Sequence, residues 1–205
     1  MDSWESKRHN PQDKETVVFA LKEASEFDLI HFSTEFHNGN HCQFVDLRGW
    51  DEENQKWHYL LPKTELFAHS SHWFKIPSEL RKTWSKLSIS GYPDGGISRL
   101  GLFRSEEIKD LPDSVQKSLN KEGSSIEKCQ SVIPKGEEKE VIKPEELNPR
   151  VVDTRWMCIN KANPVDVSSA EYGGKVLECT DEHYSPAHLI LSSDTPSGME
   201  DGLES

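Results

Sequence analysis

Tyr92-Pro93-Asp94-Gly95-Gly96-Ile97-Ser98-Arg99-Leu100-Gly101-Leu102-Phe103 opens as a turn and closes as a strand. Pro93 fixes its own φ and pushes Tyr92 towards extended backbone. Asp94 can accept from nearby backbone N–H groups, and Gly95 and Gly96 tolerate positive φ at little steric cost. From Ile97 the side chains alternate, with Leu100 and Leu102 on one face and Ile97, Arg99 and Phe103 on the other. Upstream, Lys86-Leu87-Ser88-Ile89-Ser90 alternates as well. Two alternating strands joined by a glycine-rich corner predict a β-hairpin with a polar tip. Arg99, beside an acidic turn, is placed either to hold an anion or to pair with Asp94.

Outward from this corner the chain reads as short strands separated by turns. Thr16–Leu21, Phe27–Ser33, Gln43–Arg48, Trp57–Leu61 and Trp73–Ile76 are rich in β-branched and aromatic residues, with Pro62 and Pro77 read as the stops of the last two. The loop Thr34–His41 carries Asn38-Gly39 as turn punctuation. Strands without alternating helices predict an all-β sandwich or barrel and exclude doubly wound and α/β-barrel architectures. After Phe103 the composition shifts to Glu, Lys, Ser and Pro, which reads as a long polar linker, partly disordered, opening with a short helix over 106–121. Val151–Ile159 and Gly173–Cys179 read as strands again.

The 205 residues are 34% hydrophobic and 29% charged, so a core forms only if part of the chain stays outside it. A net charge of -12, with no basic cluster, argues against nucleic acid and anionic membrane as partners. Cys42, Cys129, Cys158 and Cys179 form no CxxC pair and read as reduced thiols of a cytoplasmic protein. No apolar run approaches the roughly 18 residues that cross a bilayer. Neither G-x-S-x-G nor a glycine-rich phosphate loop occurs. His37, His41, His69 and His72 match no zinc spacing and read as solvated loop histidines; no cofactor is expected, a divalent metal being the open alternative. The six tryptophans read as core or edge packing, with an aromatic sugar platform as the lesser alternative.

The corner closely resembles the end of an allantoicase repeat, which carries Y-P-D-G-G-I-x-R-L before a closing strand. Met1-Asp2-Ser3-Trp4-Glu5-Ser6-Lys7-Arg8 is similar to that family's M-x-D-G-W-E-[ST]-x-R box, with Ser3 where glycine is usual. Asn38-Gly39-Asn40-His41 resembles its F-x-G-N-[HYF] loop, although the Phe36-His37 order is unusual. Gly173-Gly174-Lys175-Val176-Leu177 with Asp181-Glu182-His183 resembles the opening of a repeat, and Met199–Ser205 a second box in which Leu203 replaces tryptophan. The two boxes echo each other, Asp2-Ser3-Trp4-Glu5-Ser6 against Asp201-Gly202-Leu203-Glu204-Ser205.

The resemblance implies an all-β fold, an antiparallel β-sandwich that is jelly-roll-like (galactose-binding-like), with an incomplete first repeat over 1–103, a linker over 104–167, and the opening strand and box of a second repeat over 168–205. That last part either fills the vacant strand position of the first repeat or hangs loose, and exposed sheet edges leave a homo-oligomer open.

The implied activity is hydrolysis of allantoate, a small-molecule ureide, to ureidoglycolate and urea in purine breakdown. The alternative is a truncated, inactive sandwich that binds a ligand or assembles. Such a reaction needs an acid for the leaving urea, a base for water, and cations for the carboxylate. By the resemblance, Asp2, Glu5 and Glu35 are the acid–base candidates, Arg8 and Arg99 the anion clamps, and Asn40, His41 and Asp94 the remaining substrate contacts.

Overall fold

At Tyr92–Gly96 the chain passes from one sheet to another. A computed structural model describes residues 3–76, 80–104, 150–152 (as backbone), 165–194 and 196. Eleven strands are described: β1 (Trp4–Glu5), β2 (Glu15–Ser25), β3 (Leu29–Ser33), β4 (Phe44–Asp51), β5 (Lys56–Glu65), β6 (Ser71–Lys75), β7 (Trp84–Tyr92), β8 (Gly96–Ile97), β9 (Arg99–Phe103), β10 (Arg150–Val152) and β11 (Lys175–Cys179). They form a five-stranded sheet ordered β11-β2-β7-β4-β5, a four-stranded sheet ordered β10-β6-β3-β9, and the small ladder β1-β8. Every pairing is antiparallel, and the fold is all-β as the sequence predicts.

The expected hairpin is corrected here. β7 lies between β2 and β4, so both of its hydrogen-bonding edges are taken and none is left for β9. β9 pairs instead with β3 in the opposite sheet. Alternation fixes which side chains share a face, and Leu87 and Ile89 do face the same core as Leu100 and Leu102. It does not fix the partner strand. Ile97 also joins that core rather than the face of Arg99, because Ser98 separates β8 from β9 and resets the phase. Gly95 has φ 114, and a Cβ there would lie 2.6 Å from the His41 carbonyl oxygen, so a side chain is refused on two grounds.

β5 runs through Pro62 to Glu65, whereas the sequence suggested a stop. As the edge strand it needs no outward donor at that residue. The core between the sheets is completed from the far end of the chain. β11 pairs with β2, and Val167, Ala187, Ile190 and Leu191 are buried in the central cluster, the last three from one turn of 3₁₀ helix over Ala187–Leu191. β10 pairs with β6 within the span read as linker, and Val167 is packed before its expected end. The 106–121 helix, most of the linker, Asp2, Trp156, Cys129, Cys158 and the second box lie outside the described residues. Cys42 and Cys179 are free thiols. Among the described residues no helix is long and apolar enough to cross a membrane.

Candidate functional site

Gly96 is the point on which three segments converge. β1 lies antiparallel to it through Glu5, the end of the 34–41 loop bridges to it in parallel through His41, and the His37 ring covers it. The Gly96 N–H donates to Asn40 O at 2.8 Å, and its carbonyl accepts from Cys42 N–H at 3.0 Å. A Cβ at Gly96 would sit 2.1 Å from the His37 ring, so only glycine lets the ring lie against the backbone.

This arrangement brings Glu5, Arg8 and Asn40 together. Glu5 is 4% exposed, and its Oε1 accepts from Asn40 Nδ2 at 2.6 Å. Its Oε2 has no hydrogen-bond partner among the described residues. Burial pushes the Glu5 carboxyl above the usual carboxylate range, against the opposing pull of the Asn40 hydrogen bond and the Arg8 charge. Arg8 is exposed and donates from Nη2 to Gly39 O at 2.7 Å. The guanidinium therefore sits at the rim of the loop with its charge turned to solvent.

Glu35 and Arg99 form a second group at the start of the same loop. The Ser98 hydroxyl donates to Glu35 O at 2.5 Å, and the charges of His69 and Arg99 oppose the burial that raises the Glu35 carboxyl. Arg99 is 5% exposed, with Nε donating to Asp194 O at 2.7 Å and Nη1 to Ser98 O at 2.7 Å. Arg8 and Arg99 thus bracket the 34–41 loop, one at Gly39 and one beside Glu35. Asp94 turns towards the box: its Oδ2 accepts from His9 N–H at 2.8 Å, which ties down the residue after Arg8. His41 is half-buried, and burial lowers the basicity of its ring.

The reading of the histidines as solvated needs correction for His37 and His72, both fully buried. His72 sits in β6; its Nε2 accepts from Phe67 N–H at 2.9 Å and its Nδ1 faces Phe32 O at 3.2 Å, so it is the neutral tautomer protonated at Nδ1. His37 follows Phe36, which has φ 69, and that turn drives its ring inward onto Gly96. The Asn40 side chain faces the ring, but neither ring nitrogen reaches ordinary hydrogen-bond geometry. Burial brings its pKa down to about 4, so the ring is neutral at physiological pH. The signal for His37 was the glycine pair sixty residues away, a clue that is legible only once the pairing is known. Among the described residues no three His, Cys, Asp or Glu side chains are placed to hold a metal ion.

The allantoicase repeat family model matches residues 1–107. A probable allantoicase of Pseudomonas savastanoi pv. phaseolicola is 24% identical over 210 residues, covering 100% of this chain and 49% of that protein. The allantoicase of Neurospora crassa is 22% identical over 215 residues, covering 99% of this chain and 48% of that protein. The chain therefore spans about half the length of the curated relatives it matches. A crystal structure of Saccharomyces cerevisiae allantoicase aligns with 28% identity and a TM-score of 0.42, covering 49% of this chain and 30% of that one. The repeat match takes in more than half of the sequence and the whole Glu5–Arg8–Asn40 arrangement, and on that ground the chain belongs to the allantoicase family.

Proposed function

We propose that this chain is an allantoicase-type hydrolase that cleaves allantoate to ureidoglycolate and urea. The observation that carries the reading is the family match together with a buried carboxylate and an amide that meet at Gly96 and an exposed guanidinium bonded to Gly39 of the same loop. The exposed Arg8 fork suits the substrate carboxylate, with Arg99 as the second cation at the other end of the loop. Asn40 and His41 offer the donors and acceptors that a ureido group needs.

The reaction breaks one C–N bond at the carbon bearing the two ureido groups. Water adds its hydroxyl to that carbon, and its remaining proton is carried to the leaving nitrogen. Two carboxyl groups can divide this work. Glu5 and Glu35 are both raised by burial, which suits a carboxyl group to proton transfer near neutral pH. Glu5, the more deeply buried, is assigned the acid that protonates urea, and Glu35 the base that takes the proton from water. Asp94 ties the end of the box to the corner through the His9 N–H.

The test is urea release from allantoate by the purified chain, followed colorimetrically, alongside R8A. The expected result is turnover by the native chain and a KM raised roughly tenfold or more in R8A, since a charge-assisted pair contributes about 1.5–3 kcal/mol. A folded native chain that releases no urea at millimolar allantoate refutes the assignment.

A further inference from the structure

β1 is only two residues long, and a ladder so short has little stability of its own. Its geometry is therefore imposed by what lies on either side. On one side is Gly96. On the other is the turn that follows β11, in the part of the chain beyond the family match.

Asp181 is the centre of that turn. Its backbone carbonyl accepts from the Trp4 indole N–H at 2.8 Å, and its side-chain Oδ2 accepts from Lys7 N–H at 2.5 Å. The two bonds grip the residues immediately before and two after Glu5. Glu5 itself bridges to Ser185, and its carbonyl accepts from Tyr184 N–H at 3.2 Å. The turn is in turn fastened to β2, where Thr16 N–H donates to Thr180 Oγ1 at 2.8 Å and Thr180 N–H to Thr16 O at 3.0 Å.

We propose that Asp181 is a positioning residue for Glu5, and that the segment from Lys175 to Ser185 forms one wall of the candidate site rather than the start of a separate unit. The physical reason is that Lys7 N–H has no strand partner to fix it, so the carboxylate of Asp181 sets the path of the chain between Glu5 and Arg8. Without that carboxylate, β1 keeps its ladder to β8 but loses the clamp that aims Glu5 at Asn40. The kinetic part of this inference rests on the allantoate reading; the structural part does not.

The test uses the full chain carrying D181A, with D181E as a second variant that keeps the charge but overreaches the N–H by one methylene. Three quantities are measured: the Glu5 titration midpoint by carboxyl ¹³C NMR, kcat and KM for urea release, and the circular dichroism spectrum. The expected result for D181A is an unchanged β spectrum, a Glu5 midpoint lowered towards that of a solvated carboxylate, and kcat reduced at least tenfold with KM within about twofold. D181E is expected to show the same changes in smaller measure. An unmoved Glu5 midpoint in whichever variant keeps the native spectrum overturns the proposal. If the native chain releases no urea, the allantoate reading fails while the Glu5 titration still decides the role of Asp181.

Discussion

Two of the places where this molecule sets a buried carboxylate near an arginine are built differently. At Asp46 one carboxylate oxygen is held by a charge, while Oδ1 has no hydrogen-bond partner among the described residues. Asp46 is fully buried on β4, its Oδ2 pairs with Arg48 Nη2 at 3.1 Å, and the Tyr92 hydroxyl donates to the same oxygen. The Arg48 guanidinium lies over the Tyr59 ring at 4.4 Å. At Glu5 the oxygen that is held is held by a neutral group. The carboxylate is as deeply set, but its one described partner is a neutral amide, and Arg8 turns away to a carbonyl at the surface. A carboxylate in direct contact with a guanidinium acts as a structural ion pair, whereas one held by a neutral amide has no counter-ion in contact. The comparison separates an arginine bonded to a buried carboxylate from one whose guanidinium lies at the surface.

The sharpest way to break the comparison is to neutralise Glu5. E5Q keeps the shape and the Asn40 contact while removing the proton donor. Turnover is expected to fall on the order of 10³-fold, within the range of general acid–base catalysis. Because burial raises the Glu5 carboxyl, its charged form costs the native state something, so the neutral amide should leave the melting temperature unchanged or slightly higher. A large drop in melting temperature would mean that Glu5 is structural after all.

The converse experiment is D46A. Removing Asp46 strands the Arg48 charge on a half-buried face, and breaking such a pair costs about 3 kcal/mol or more. Urea denaturation should show that loss as a lowered midpoint, while turnover per folded molecule stays native. A D46A chain of native stability would show that the Arg48 stack on Tyr59 suffices without its counter-ion.

Gly96 offers a third cut, through the point that organises the site. In G96A the new Cβ would overlap the His37 ring, and overpacking of this kind costs about 1–3 kcal/mol. The measurable signature is a loss of stability together with a change in kcat, since the ring, Asn40 and Glu5 move as a set. A substitution that lowers stability without touching kcat would detach His37 from the site.

How far the sequence carried these distinctions follows from what each one depends on. The all-β class and the alternation of β7 were legible because period-two alternation is local. Trp4, Trp73 and Trp84 are indeed core side chains. The partner of β9 was not legible, since alternation is the same for a hairpin as for a crossing between sheets. The candidate site was legible in part: Glu5, Arg8 and Asn40 do come together, although the reason is the long-range convergence on Gly96. Asp94, a substrate contact by the resemblance, has its Oδ2 bonded to the His9 backbone N–H, a link between the corner and the box that no local pattern shows. Asp181 was marked only as part of the stretch that resembles a repeat opening; its contacts with Trp4 and Lys7 exist only once β11 lies against β2, some 160 residues away in sequence.

The smallest expected effect concerns the histidines that crowd the site end of the molecule. His31, His37 and His72 have pKa values lowered by burial to about 3, about 4 and about 4, from an ordinary 6.5. A lowered histidine pKa means that the unfolded chain binds the proton first. The stability these rings confer is present above about pH 6.5 and is lost as pH falls towards their native values. Asp166, raised to about 6 by burial, acts in the opposite sense, its contribution growing as pH falls below 6. Glu5, Glu35 and Asp46, also raised, oppose the histidines in the same direction as Asp166. Between pH 7.5 and 6 the three rings should dominate, with a net loss of about 2 kcal/mol. Replacing one of them by H72Q should remove roughly a third of the histidine contribution over the same window. Urea unfolding at pH 7.5, 6.8 and 6.0 reads both quantities. A native chain whose stability is level across that interval would place these rings in contact with water, and with it weaken the contrast between an arginine-paired Asp46 and an amide-paired Glu5, both of which rest on burial.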